Sequence, residues 1–246
     1  VVHAALQISY SEKQQRAAEK RRILLDFLAS GEVYTTLSII STLLKTSEDT
    51  ALRLVKKLTD EKILRADLKA VPFSNLKVYG ITAHGLAITE NAHAKCREFY
   101  PGSLNPSYLM HHIEGQKVRI TLERAGWNNY IPGKLLYVEN EKRMKSLPDA
   151  LITRPDGKIV AIEIERTIKS HKRMMEVVGA HIQQIVAGHY TAVYYFTPHL
   201  SGLERLMNRV ESVQCGSEKI KLNDSHRARF KLFCMDVDSD ILLNIH

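Results

Sequence analysis

The sequence predicts a mixed α+β chain in two domains: an N-terminal set of helices closed by a β-hairpin, and a C-terminal domain that interleaves apolar strands with amphipathic helices. Three observations predict it. Helix-period apolar stripes run through the first sixty residues and then give way to a strand pair, Pro and Gly interrupt the chain near residue 100, and period-two apolar runs alternate with helical stripes beyond that point. At 246 residues one large or two small domains are expected. The boundaries read as 1–98 for the first domain, 99–107 for a connector and 108–246 for the second. A hydrophobic share of 44% with 25% charged residues excludes wholesale disorder.

Residues 12–29 set Ala17, Ile23, Leu24, Phe27 and Leu28 on one face with charges opposite, and Ser30-Gly31 closes this helix. A short helix over 37–45 buries Leu37, Ile40, Leu43 and Leu44. Thr46 and Ser47 supply an N-cap, and Glu48 and Asp49 an acidic first turn, for a third helix reaching about Lys62. Residues 64–70, a break at Val71-Pro72-Phe73-Ser74-Asn75, and residues 76–81 read as a hairpin. Gly85 then opens a helix over 86–97.

Three helices followed by a two-stranded wing resemble a winged helix-turn-helix. Residues 79–85, Tyr-Gly-Ile-Thr-Ala-His-Gly, resemble the strand-to-helix exit of many winged-helix repressors. The resemblance implies that the third helix enters the DNA major groove while the wing follows the backbone. Arg53, Lys56 and Lys57 lie on that helix away from Leu52, Val55 and Leu58, and Lys77 lies in the wing, so these four are the candidate DNA contacts. On a module that binds protein the same charges would form a solvated face. A formal charge of +8, from 35 Lys+Arg and 27 Asp+Glu, suits a polyanionic partner.

No run of about eighteen apolar residues would span a membrane, and the charged first thirty residues are unlike a signal peptide. Cys96, Cys215 and Cys234 are far apart and lack metal-ligand spacing, as expected in a reducing compartment. A cytoplasmic protein without membrane insertion is the expectation.

In the second domain a helix over 108–124 carries Leu109, Ile113, Val118, Ile120 and Leu122, and 134–138 reads as a short strand. Residues 147–165 carry the most information. Pro155-Asp156-Gly157 is a three-residue hairpin loop with a glycine for positive φ. With Arg154 opposite Lys158, Asp149 falls opposite Glu163, and Glu165 points to the same side as Glu163. Three carboxylates thus converge among Ala, Leu, Ile and Val. Clustered acids in apolar surroundings repel one another, and a hard divalent cation, Mg²⁺ or Mn²⁺, would relieve that repulsion. On an edge hairpin the same acids would simply face water. The apolar neighbours Ile159, Val160, Ala161, Ile162 and Ile164 favour a buried central strand instead.

Pro148-Asp149 followed after a fourteen-residue step by Glu163-Ile164-Glu165 resembles the PD-(D/E)xK core of restriction-endonuclease-like enzymes. The order helix 108–124, strand 134–138, hairpin 149–165, helix 171–187 and strand 191–196 is similar to that αβββαβ core, which implies a mixed central sheet. The whole chain resembles the MobC-type relaxases of mobilisable plasmids and the wider replication-relaxation group. Its strongest pieces are Pro148-Asp149-Ala150-Leu151 and Ile162-Glu163-Ile164-Glu165-Arg166-Thr167. The resemblance implies an endonuclease that nicks one strand at a transfer origin. Its partners would be duplex and nicked or single-stranded DNA, together with relaxosome accessory and coupling proteins.

The motif position usually held by lysine is Glu165, and Lys169 is the nearest replacement cation in sequence. Asp149 and Glu163 would hold the metal, and Glu165 would act as a ligand or general base. The strand at 134–138 should end beside Asp149, bringing Glu139 there, and helix 108–124 should start at the same end with His111, His112, Glu114 and Lys117. Glu114 and Glu139 are therefore candidate additional ligands and His112 a supporting residue. Tyr137, Tyr194 and Tyr195 fall in strand patterns and read as core, while a covalent tyrosine route stays open. The competing reading is a non-enzymatic DNA-binding regulator or replication accessory protein whose nuclease domain is degenerate.

Overall fold

The structure, a computed structural model, describes residues 9–71, 74–139 and 147–236. The chain separates into two compact units, Val1–Pro106 and Ser107–His246. Both mix helix and strand, so the chain is of the α+β class.

In the first unit α1 (Tyr10–Phe27) starts at a capping box on Ser9 and Glu12. It runs into a wide turn, Leu28–Glu32, that Gly31 permits at φ 111°. There follow β1 (Tyr34–Thr36), α2 (Leu37–Leu43), α3 (Glu48–Asp60), β2 (Leu64–Val71), β3 (Ser74–Ile81) and α4 (Ala83–Ala87). Ser47 caps α3 as expected, its side chain accepting from the Thr50 N–H. The sheet is antiparallel in the order β1-β3-β2. Leu24, Leu28, Ile39, Ile40, Val55, Leu58 and Ile81 form its buried interior.

Three readings change in this unit. The three residues of β1 are too few to show an alternation, and β3 supplies the hydrogen bonds that make them a strand. The helix expected over 86–97 is the short α4 instead. The Thr89 hydroxyl donates to the Gly85 carbonyl, and the His93 N–H donates to Ala29 O at 3.0 Å, turning the chain back onto the unit. Phe99 is buried against Gly80 and its N–H donates to Ile81 O, so the start of the expected connector belongs to the first unit.

The second unit contains α5 (Pro106–Arg124), β4 (Asn128–Pro132), α6 (Gly133–Glu139), β5 (Ala150–Thr153), β6 (Ile159–Ile164), α7 (His171–Val186), β7 (Val193–Thr197), α8 (Leu200–Asn208), β8 (Ser212–Cys215), β9 (Glu218–Lys221), α9 (Asp224–Arg227) and β10 (Phe230–Cys234). Five strands form a mixed sheet in the order β10-β7-β6-β5-β4. The pairs β6–β7 and β7–β10 are parallel, and the other two are antiparallel. Alternation along β6 divides the core. Val160, Ile162 and Ile164 pack with Val118 and Leu122 of α5, whereas Ala161 packs with Met174, Val178 and Ile182 of α7 and Leu203 of α8.

The hairpin between β5 and β6 has the expected register, with Ala150 opposite Ile162 and Thr153 opposite Ile159. Its loop closes through the Gly157 N–H donating to Arg154 O, with Gly157 at φ 81°.

The strand expected over 134–138 is the helix α6, and the strand lies earlier, as β4. Leu135 and Leu136 are both buried while Tyr137 is 77% exposed, a pattern of helical rather than alternating period. Tyr137 is accordingly not a core residue, whereas Tyr194 and Tyr195 are. Residues 212–227, which carry little apolar signal, form the β8–β9 hairpin and α9. The expected αβββαβ order is therefore interrupted by α6 and extended beyond β7.

Gly133 fixes where α6 meets the Asp149 segment. Its N–H donates to Asp149 O at 2.7 Å, and a Cβ there would stand 2.5 Å from Pro148 O. Gly133→Ala is expected to cost about 2 kcal/mol, because backbone must yield to backbone, and a urea melt of the variant measures it.

Candidate functional site

The site builds up at the end of the sheet where β5 begins and β6 finishes. Asp149 precedes β5, and its Oδ2 accepts the Ile164 N–H at 2.7 Å, a bond across the open end of the hairpin that brings its carboxylate to the tip of β6. Glu163 lies within β6, and its side chain is 13% exposed. Glu165 follows the strand, anchored by its N–H on Phe196 O, with its side chain 4% exposed.

Electrostatics ties the three acids together. Burial pushes the Glu163 carboxyl above its ordinary value, the Asp149 charge adds to the rise, and His181 and Lys169 oppose it. Burial also raises Glu165, again with Asp149 contributing and with Lys169 and His111 opposing. Each acid nevertheless has a partner of its own. His111 of α5 places Nε2 3.2 Å from Asp149 Oδ2, and that hydrogen bond raises the imidazole pKa. Lys169 forms an ion pair with Glu165 one helical turn's worth of residues away. His181 of α7 places Nε2 3.3 Å from Glu163 Oε1.

The expected flanking residues distribute unevenly. Glu114 sits one turn after His111 on α5 and forms an ion pair with Arg166, Oε2 to Nε 2.7 Å, so it joins the rim of the site through the residue next to Glu165. His112, the expected supporting residue, instead lies 3.0 Å from Gln116 Nε2, and the histidine that touches the acids is His111. Successive residues are about 100° apart around a helix axis, so only one of the pair can face Asp149. Glu139 ends α6 rather than a strand, which removes the reason for placing it beside Asp149, and its side chain lies outside the described residues.

His181 was not legible as a site residue. It is 3% exposed, its Nδ1 is 2.6 Å from the Tyr190 hydroxyl, and its ring stands edge-on to Tyr190, Tyr195 and Phe230. Tyr195 is opposite Glu163 in the β6–β7 register. The Tyr195 hydroxyl is buried without a hydrogen-bond partner among the described residues. The one sequence signal was a histidine inside the apolar stripe of 171–187.

Among the described residues, no three His, Cys, Asp or Glu side chains form a group that could hold a metal ion. The expected convergence is therefore a meeting of carboxylates with separate partners, short of a closed ligand set.

In the first unit Arg53, Lys56, Lys57 and Lys77 are all exposed. Arg53 donates to Asp49 O and to the Thr50 hydroxyl, Lys57 is 4.0 Å from Glu61, and the Lys77 ammonium lies 5.7 Å from the Tyr79 ring centroid. Among the described residues, no helix is long and apolar enough to cross a membrane. No family model, curated protein or solved structure matches the chain.

Proposed function

We propose that the chain is a DNA-binding, metal-dependent endonuclease that nicks one strand, acting as a relaxase in plasmid mobilisation. The observation that carries the reading is the hairpin register that puts Asp149, Glu163 and Glu165 at one end of a buried sheet. The first unit, read as a winged helix, would hold duplex through Arg53, Lys56, Lys57 and Lys77. The second, read as a restriction-endonuclease-like core, would receive the scissile phosphate.

Asp149, Glu163 and Glu165 would hold Mg²⁺ or Mn²⁺ only after their side chains leave His111, His181 and Lys169 and close on one another, with Glu114 joining them if Arg166 releases it. The fit rests on the Asp149 charge, which raises the proton affinity of Glu163 and Glu165, and on the buried Tyr195 hydroxyl, which lacks a hydrogen-bond partner among the described residues. Such an ion, when bound, polarises the phosphate and makes a water molecule a better nucleophile. The protein's own groups supply the rest. Lys169 brings positive charge to the position where the motif lysine is missing, His111 is a proton carrier at the Asp149 carboxylate, and His181 holds Glu163 from behind.

The test is direct. Supercoiled plasmid bearing the transfer origin should become open circles with Mg²⁺ or Mn²⁺, and chelation or Asp149→Ala should leave it supercoiled. Persistently intact plasmid would favour a DNA-binding regulator or replication accessory protein with a degenerate nuclease domain. One observation supports that second reading: His111, His181 and Lys169 already partner all three acids. It predicts duplex binding that chelator leaves unchanged.

A further inference from the structure

The first unit carries a row of cations on α1 that the third-helix reading leaves unused. Residues 10–19 of this helix are all exposed, and its buried residues are Leu24, Leu25 and Phe27. Lys13, Arg16 and Lys20 recur along one face of it. They border a cleft of about 380 Å³ whose lining also includes Arg53 and Lys57 of α3. Five cations thus line one cleft, and no carboxylate is among its lining residues. Of the acids of α1, Glu12 accepts from the Ser9 N–H and also feels the Arg16 charge one turn on, while Glu19 and Asp26 hold Arg22. Hydroxyls of Thr46 and Thr50 stand between the two helices, with Lys20 Nζ 3.3 Å from Thr46 Oγ1 and Arg53 3.4 Å from Thr50 Oγ1.

Five like charges lining one cleft outnumber the acids at its edge and repel one another, and an anionic ligand relieves that repulsion. The cleft favours a phosphate backbone over an acidic amphipathic helix. A helix needs a ladder of apolar pockets for its anchors. The apolar lining here is Ala17, which is small, Leu44, which is 8% exposed, and the half-buried Leu54. The cation row spans about 10 Å of helix axis at 1.5 Å per residue. That is long enough to meet more than one phosphate at roughly 3.4 Å of duplex axis per strand.

We infer that Lys13, Arg16 and Lys20 of α1 contact the phosphate backbone of the same duplex that α3 engages, so that the DNA interface is the cleft between two helices and not one helix face. The inference rests on the DNA-binding reading of this unit.

It is tested by titrating a fluorescent duplex with the full chain across a salt series. The charge-removed variant Lys13→Gln/Arg16→Gln/Lys20→Gln is compared with the charge-preserving Lys13→Arg/Arg16→Lys/Lys20→Arg, and circular dichroism checks that both fold. Three lost phosphate contacts should flatten the slope of log affinity against log salt by about 2.7 and weaken binding about 100-fold near 0.15 M salt. The charge-preserving variant should match wild type. A wild-type chain that binds no duplex overturns the DNA reading and this inference with it. Wild-type binding with an unchanged slope in the charge-removed variant overturns the inference alone. An unchanged slope combined with binding of a labelled Glu/Leu amphipathic peptide, lost in that variant, overturns it in favour of a protein partner.

Discussion

Exchange of Glu163 for glutamine is expected to abolish strand cleavage while raising the stability of the second unit at neutral pH. The side chain is almost enclosed, and burial with the Asp149 charge behind it favours the protonated carboxyl. In the unfolded chain Glu163 loses its proton near the ordinary value of 4.5. In the folded unit it holds the proton to higher pH. Folding therefore carries no penalty from this group below 4.5, loses stability as pH rises from there to the raised folded value, and stays lower above it. Glutamine keeps the shape and has no proton to lose. Its unfolding midpoint should change less across that window than wild type, with a gain of about 1–2 kcal/mol at pH 7, the scale of relief when a buried charge is neutralised. If Glu163 is a metal ligand as proposed, cleavage should fall by more than the ~10–100-fold that loss of a supporting partner costs, because a direct oxygen donor would be removed. Urea melts at pH 4 and pH 7 with the plasmid assay on the same preparation decide the matter. A variant that loses stability and still nicks would make Glu163 a structural partner of His181 and nothing more.

Replacement of Lys169 by methionine should act in the opposite direction on stability. Its ammonium is 28% exposed, but the Glu165 carboxylate it neutralises is only 4% exposed, so the variant strands a buried charge. Stripping one member from a buried ion pair costs about 3–5 kcal/mol, and the partial exposure of Lys169 brings the expected loss to about 2–3 kcal/mol. Adding Glu165→Gln should recover most of it, and the double-mutant cycle isolates the pair from other effects of each change. On the proposed nuclease reading, cleavage should be lost in Lys169→Met and not recovered in the double variant, since that reading assigns Lys169 the positive charge beside the phosphate whatever the stability. Recovery of cleavage in the double variant would mean that Lys169 serves only to neutralise Glu165.

Local chemistry explains which parts of this arrangement were readable. The pairing of Asp149 with the end of β6 follows from a three-residue loop whose Gly157 takes a positive φ, and from a period of two that leaves one register with Asp149 opposite Glu163. The third helix was readable because Ser47 accepts from the Thr50 N–H and the acidic first turn follows it. Long-range choices were not readable. Two adjacent leucines at 135 and 136 suit a helix or a strand in isolation, and the Gly133 contact with the Asp149 segment is what seats α6 there. His111 and His112 are equivalent in a sequence, and only the rotation of α5 against the sheet turns the first toward Asp149. His181 looks like one more member of a helical stripe until α7 lies over Glu163 and Tyr195.

What the residues determined by themselves was the main helices and the hairpin that carries the acids, because caps, loop glycines and apolar period act within a few residues of one another. What only tertiary packing decided was the company those acids keep. His111 from the helix before the sheet and His181 from the helix after it meet Asp149 and Glu163 because α5 and α7 cover opposite faces of one strand, a relation that no local spacing encodes.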